Sequence, residues 1–366
     1  MTSVGPMTAG VKRHPLVVVI CFVIGFKLCL IVIGIMLEGL EQAIFKASGH
    51  AFQSIALDGY PEGSTAAELT RYAYYPLFVV VLKVLSLFPI NLAVLTILLG
   101  VGVTVAILLL LYRLLEPLLG SKVALFVLLA WGVAPPGWIY LAAFSEGIFA
   151  LLQLSLLHAM NKGRFWFAAA LSSLLGASRV QGAFWALAAC FWILKSTQSW
   201  VSKLFGIAIA LSGAVFWQVV IILVTGNVFG YREIVAAHQA SNGFGIQPLL
   251  TAAEGVISLV SGNLDLAISA AFALVGVLVL LILLLRERSG IPGRIPTIVT
   301  ALSGVFISAD PGTQMTRYVT SSPILFTGLA AVISRHHALA ILSISLLAVT
   351  SIVHTLFTHG YWQMIP

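Results

Sequence analysis

The sequence predicts an all-α polytopic membrane protein of about eleven transmembrane helices, within a range of nine to thirteen, with a helical first outer loop. Three observations lead there. Hydrophobic residues make up 60% of the 366 and charged residues 8%, with mean hydropathy +1.08, whereas a soluble domain carries about 25% charged residues. Apolar runs long enough for a hydrocarbon core of roughly 30 Å recur from residue 15 to residue 354. Lys and Arg come in ones and twos between those runs, never as a patch, so the net charge of +7 argues for membrane orientation and against nucleic acid as a partner.

The elements follow in order. Lys12 and Arg13 precede the first run, 15–37, which puts the N-terminus on the cytoplasmic side and makes that run a permanent helix, not a cleaved leader. Further spans are expected at 91–112, 122–138, 147–161, 165–178, 181–196, 203–225, 267–285, 295–308, 318–334 and 338–354. Segment 74–88 is apolar enough for a short helix, but Lys83 sits in its middle and Pro89 closes it, so it is expected along the outer interface or as a re-entrant element. The first extracytoplasmic loop, with its interfacial helices, then covers 38–90 and a second large one 226–266, all within one integral-membrane domain, 1–366.

This threading sorts the charges. Twelve of the nineteen Lys and Arg residues fall inside: Lys12, Arg13, Arg113, Lys122, Lys162, Arg164, Lys195, Lys203, Arg286, Arg288, Arg294 and Arg335. Only Glu116 and Glu287 join them, while the other ten acids fall outside. Acids scarcely influence topology, so the asymmetry asks for another cause, and a working outer face supplies one. Cys21, Cys29 and Cys190 lie inside apolar runs with no metal or redox spacing and read as small core residues.

Polar residues cluster at outer helix ends. In APPGWIYLAAFSEG, 134–147, Pro135, Pro136 and Gly137 must interrupt one helix, and Ser145 and Glu146 cap the next. Glu146 reads either as an acid favoured by the helix dipole or as the lining of a polar cavity. ASRVQG, 177–182, sets Arg179 between two apolar runs, where it must snorkel or be paired; facing a phosphate is the sharper reading, since a guanidinium fork matches phosphate oxygens. The stretch 226–248 carries Arg232, Glu233, His238 and Gln239 on an amphipathic helix, read as a solvated face or a polar site; one His and one carboxylate fall short of a metal set. SADPGTQMTRYVTSSP, 308–323, starts a span with Arg317 and Tyr318, interfacial anchors or phosphate binders. No Walker loop, GxGxxG, GxSxG, HExxH or paired-Cys motif occurs, which removes soluble nucleotide chemistry and zinc hydrolysis. A transporter would bind near the midplane, whereas these polar residues crowd one face.

Five segments, in order, resemble the PIG-V type of membrane mannosyltransferase within the GT-C glycosyltransferase superfamily. IALDGYP at 55–61 with YYPLFVVVLKVL at 74–85 resemble the family's "IAxxGYP … FFPLYPLLVRLL". FSEGIFALLQL at 144–154 is similar to "YSEslFalLsl", and SRVQG at 178–182 to "TRxxG". The stretch from Gly226 to Pro248 resembles the family's outer helix and the proline after it, and TRYVTSSPILF at 316–326 is similar to "xRYxLxxFPLF".

The resemblance implies a GT-C-like fold and transfer of mannose from a polyprenyl-phosphate mannose donor to a lipid-linked or protein acceptor on the lumenal or extracytoplasmic side. It implies a first-loop carboxylate as general base, with Asp58, Glu41 and Glu62 as candidates, and Arg179, Arg317 and Arg232 on the donor phosphate. Glu146, Tyr140, His238, Gln239, Tyr74, Tyr75 and Tyr318 would line the substrate pocket, the aromatic edge of the first loop stacking on sugar or resting on lipid. One position departs from the pattern. The family's "WD" aspartate should fall at 48, where this chain has Ser48, which cannot act as that base. A catalytically silent relative, acting as a membrane partner subunit or lipid-glycan binder, is therefore the alternative, and a transporter the third reading. No cofactor is implied; clustered acids could take a divalent ion, but no ligand set is legible.

Overall fold

Regular structure is entirely helical across the residues described by the computed structural model, which are 14–46, 48–63, 65–231, 234, 282, 293–307, 317, 321–333 and 336–360; no strand occurs among them. Four helices among these residues are long and apolar enough to cross a membrane: Pro15–Glu38, Leu92–Leu119, Trp200–Thr225 and Ala338–Leu356. The 24 residues of the first span about 36 Å at ~1.5 Å per residue, more than a hydrocarbon core needs. These helices are apolar on all sides, and Val18, Phe22, Leu98, Leu204, Leu223 and Ile341 face outward. That arrangement suits lipid and would be a liability in water. The protein is a membrane-embedded helical protein.

In chain order the helices are α1 (His14–Glu38), α2 (Leu40–Phe45), α3 (Ser48–Asp58), α4 (Ala66–Leu69), α5 (Pro76–Ser86), α6 (Leu92–Leu119), α7 (Ser121–Val133), α8 (Glu146–Asn161), α9 (Phe165–Gly176), α10 (Gly182–Lys195), α11 (Trp200–Thr225), α12 (Arg294–Ile307), α13 (Thr327–Ile333) and α14 (His337–Gly360). Local chemistry fixes their ends. Asn91 caps α6 by accepting from the N–H groups of Ala93 at 2.8 Å and Val94 at 3.3 Å, and Ser199 caps α11 by accepting from Ser202 N–H at 3.2 Å. Gly226 ends α11 in the left-handed region, φ 68°, where a side chain would be strained.

Several boundaries differ from the sequence expectation. The span expected at 122–138 stops at Val133, because Pro135 and Pro136 cannot continue a helix. The one expected at 318–334 is, among described residues, a single 3-10 turn, Pro323–Phe326, running into α13; Pro323 lacks the N–H that an uninterrupted helix requires. Of 267–285 only Ile282 is described, and it is helical. Segment 76–86 is a short helix as expected, with exposed Lys83 donating to the Leu57 carbonyl at 3.2 Å.

Small residues set the closest packing. A Cβ on Gly213 of α11 would lie 1.9 Å from the Ser173 carbonyl oxygen of α9, and one on Gly176 of α9 would lie 2.6 Å from the Ala214 nitrogen. Ser172 Oγ donates to the Ala210 carbonyl at 3.1 Å across the same seam, where Ser173 and Ser212 hydroxyls meet at 2.8 Å. Glycine, alanine and serine let membrane helices approach backbone to backbone, which is how they associate without hydrophobic driving force.

The molecule has two chemically distinct ends. At one, the loop end, short helices α2 to α5 dock on the bundle: Ala143 N–H donates to the Ile44 carbonyl at 2.9 Å and Leu77 N–H to the Ala177 carbonyl at 3.1 Å. Glu38, at the end of α1, binds both Lys46 and His359 Nδ1, the latter at 2.9 Å, tying α1 to α14. At the other, the basic end, Lys122, Lys162, Arg164, Lys195 and Lys203 lie in or within a turn of the α6–α7, α8–α9 and α10–α11 connections, and Arg113 sits in the last two turns of α6.

Candidate functional site

Three sequence segments meet at the loop end in one buried charge cluster. The break at Pro135 and Pro136 lets residues 134–145 fold into a buried turn, and Glu146 opens α8, where the free N–H groups of a helix start favour an anion. Ser145 does not cap with its side chain, contrary to the sequence expectation; its carbonyl instead accepts from Phe149 N–H at 2.9 Å. Glu146 is 0% exposed. Its Oε1 accepts from Arg317 Nε at 2.9 Å and Nη2 at 2.8 Å, and lies 2.9 Å from Arg179 Nη1. Arg179, in the turn between α9 and α10, is 8% exposed, so it pairs inside the protein and does not snorkel. Each guanidinium also covers a ring: Arg317 lies 4.4 Å from Phe144 and Arg179 5.8 Å from Phe149. Among the described residues, two arginines thus share one carboxylate. Glu146 Oε2 has no hydrogen-bond partner among the described residues, and two turns further along α8 buried Gln153 accepts from Ser322 Oγ at 3.1 Å.

The first loop builds a second, open feature. His50, Ser54 and Asp58 project from α3 toward Thr70, Arg71 and Tyr74, enclosing a groove of about 540 Å³. Arg71 is held by a hydrogen bond from Nη1 to Ser54 Oγ, and His50 Nε2 meets Gln42 Oε1 at 3.0 Å. Asp58 is exposed and makes no ion pair among the described residues. The other loop acids are engaged or distant. Glu41 accepts from Asn91 Nδ2 at 3.1 Å; Glu68 accepts from Thr65 N–H at 3.0 Å while Thr65 Oγ1 accepts from Glu68 N–H at 3.2 Å, a reciprocal helix cap. Glu62 is exposed and lies off the groove lining.

The aromatic edge of the loop divides. Tyr74 lines the groove with its ring edge on Phe52 at 5.0 Å, whereas Tyr75 turns to Trp217 of α11 at 5.9 Å and to Tyr231 at 6.0 Å. Tyr60 stacks on Tyr72 at 5.2 Å and donates to the Tyr74 carbonyl at 2.6 Å. Burial pushes the phenols of Tyr60 and Tyr75 well above their ordinary range, so both stay neutral donors. Tyr140 is buried between Trp131, at 5.0 Å, and Lys27 Nζ, at 4.3 Å, and is not part of the first-loop groove lining. Arg232, His238, Gln239 and Tyr318 lie outside the described residues.

The structure thus brings Glu146, Arg179 and Arg317 together and sets Asp58 and Tyr74 in a separate groove. Sequence reasoning passed over Arg71 and His50, since their role depends on how α3 meets the 70–74 turn, and over Lys27, fully buried in α1 and donating to the Gly137 carbonyl at 3.2 Å. The signal for Lys27 was present as a single cation inside an apolar run, a placement that demands a partner. Among the described residues no group of three or more His, Cys, Asp or Glu could hold a metal ion. No protein-family model, curated protein or solved structure matches the chain.

Proposed function

We propose that the chain is a membrane glycosyltransferase of the GT-C type, with about eleven spans and a cytoplasmic N-terminus, that moves mannose from a polyprenyl-phosphate mannose to a lipid-linked or protein acceptor at the extracytoplasmic loop end. The observation that carries this reading is the convergence of three motif segments. FSEG supplies the carboxylate of Glu146, and SRVQG and TRYV each bring one arginine to its Oε1, although Glu146 and Arg317 are 171 residues apart. Segments that resemble one family's motifs in order, and also meet in space, are more than chance composition.

In this reading Asp58 is the base. Its carboxylate takes the proton of the acceptor hydroxyl as that oxygen bonds to C1 of the mannose; the C1–O bond to phosphate breaks, and its electron pair leaves on the polyprenyl phosphate. Arg71, lining the same groove, meets the charge that develops on the leaving phosphate. Arg179, two residues after the Ala177 carbonyl that accepts from Leu77 N–H where loop joins bundle, and Arg317 are the arginines this reading sets toward the donor phosphate. Tyr74 offers a ring for sugar stacking.

A second reading has an observation of its own: Ser48 opens α3 where the family pattern has an aspartate, and both buried arginines already serve Glu146. It makes the chain a silent relative that binds lipid-linked sugar without transferring it. Purified chain in lipid vesicles, given radiolabelled polyprenyl-phosphate mannose and a lipid extract, separates the two. The enzyme reading expects labelled product, lost in Asp58→Asn and kept in Glu41→Gln and Glu62→Gln. Equal transfer by all three variants removes Asp58 as base, and donor binding without product establishes the silent relative.

A further inference from the structure

The basic end carries a feature that mannosyl transfer does not use. Between the α8–α9 turn and the α10–α11 turn lies a groove of about 320 Å³, with Asn161, Lys195, Thr197 and Gln198 as its polar lining and Phe165 and Trp192 as its apolar wall. Lys203 Nζ caps the end of α10 by donating to the Leu194 carbonyl at 2.9 Å, so part of its charge is already answered by a helix terminus. Lys195 differs. Its ammonium sits 4.3 Å above the Phe191 ring and makes no hydrogen bond to a described residue. Among the described residues this end is rich in cations: Lys162, Arg164 and Arg113 all act on His158, and Glu116, an acid described there, accepts from Tyr112.

The surroundings say what kind of anion fits. Lys195, Phe191 and Leu187 are spaced four residues apart along α10 and form one stripe, with Phe191 and Leu187 each 60% exposed. The stripe leads from the groove into the apolar belt. Trp166 and Trp200, 52% and 69% exposed, flank the same end, as aromatic residues do at a membrane interface. A soluble phosphate would use Lys195 and waste the stripe, whereas a phospholipid uses both.

The geometry points to this groove as a docking site for an anionic phospholipid, its phosphate against Lys195 and one acyl chain along Phe191 and Leu187. The positive-inside rule expects this end on the cytoplasmic side, where anionic lipids concentrate. The inference stands apart from the enzymatic reading, because it uses no residue of the loop end.

The test uses the full chain in vesicles of phosphatidylcholine containing phosphatidylglycerol, with lipid retained after detergent extraction measured by native mass spectrometry. Wild type retains phosphatidylglycerol over phosphatidylcholine, and Lys195→Gln lowers that preference roughly fivefold. Thr197→Trp fills the groove without changing charge and lowers it too, while Lys122→Gln, on the same end but off the groove, leaves it unchanged. Inorganic phosphate does not displace the lipid. Equal retention of the two lipids, an equal loss in Lys122→Gln, retention unaffected by Thr197→Trp, or displacement by inorganic phosphate overturns the proposal.

Discussion

Glu146 and Asp58 are both carboxylates placed near an arginine at the loop end, and they meet opposite environments. Glu146 is sealed, with two guanidinium groups on one oxygen and rings over both cations. Asp58 faces an open groove, and its neighbour Arg71 is fastened to Ser54. A charge taken out of water must be paired, because removing a single partner strands the rest at a cost of several kcal/mol. An exposed charge has no such obligation and is available to a ligand. The contrast teaches that the sealed cluster ties α8 to the α9–α10 turn and to Arg317, while the open groove is where the proposed reading would move a substrate proton.

That contrast can be broken by substitution. The largest effect belongs to Glu146→Ala, which leaves Arg179 and Arg317 buried against each other; we expect a loss of about 3–5 kcal/mol, read as a collapse of folded yield in size-exclusion chromatography and a lowered thermal midpoint. A midpoint unchanged by this variant would mean the cluster is hydrated and not structural. Arg71→Met should act on function instead, lowering transfer roughly tenfold or more through lost charge stabilisation with its midpoint held, in the radiolabel assay. Smaller still, Thr65→Ala removes one half of the reciprocal cap on α4 and should cost about 0.5–2 kcal/mol, visible as a modest midpoint shift with transfer unaffected. A loss of transfer in Thr65→Ala matching that of Arg71→Met would blur the distinction between scaffold and site.

Much of this was legible in the sequence, and the parts that were not share a cause. Apolar runs and their punctuation are local, so the helices at 15–37, 147–161 and 203–225 lie within a few residues of their observed ends. The prolines that cut the 122–138 and 318–334 expectations were visible but underweighted; at Pro323 the chain needs a 3-10 turn before α13 can begin. Glu146, Arg179 and Arg317 stood out because a charge at the edge of hydrocarbon requires an explanation. Which of them would pair with which was not legible, since the pairing closes over a separation of 171 residues. Glu68 is the opposite case: Thr65-Ala66-Ala67-Glu68 is a capping signature that one dimension already carries. Arg71 and His50 were silent because nothing in one dimension says that α3 lies across from the turn at 70–74.

The division of labour between the sealed and the open carboxylate is tested most directly by measuring transfer rate and thermal midpoint on one preparation of Asp58→Asn. The rate should fall by about 10²–10⁴, the usual contribution of a positioned base, while stability stays within ~0.5 kcal/mol of wild type. A full rate in Asp58→Asn, or a midpoint that drops as far as that of Glu146→Ala, would contradict it.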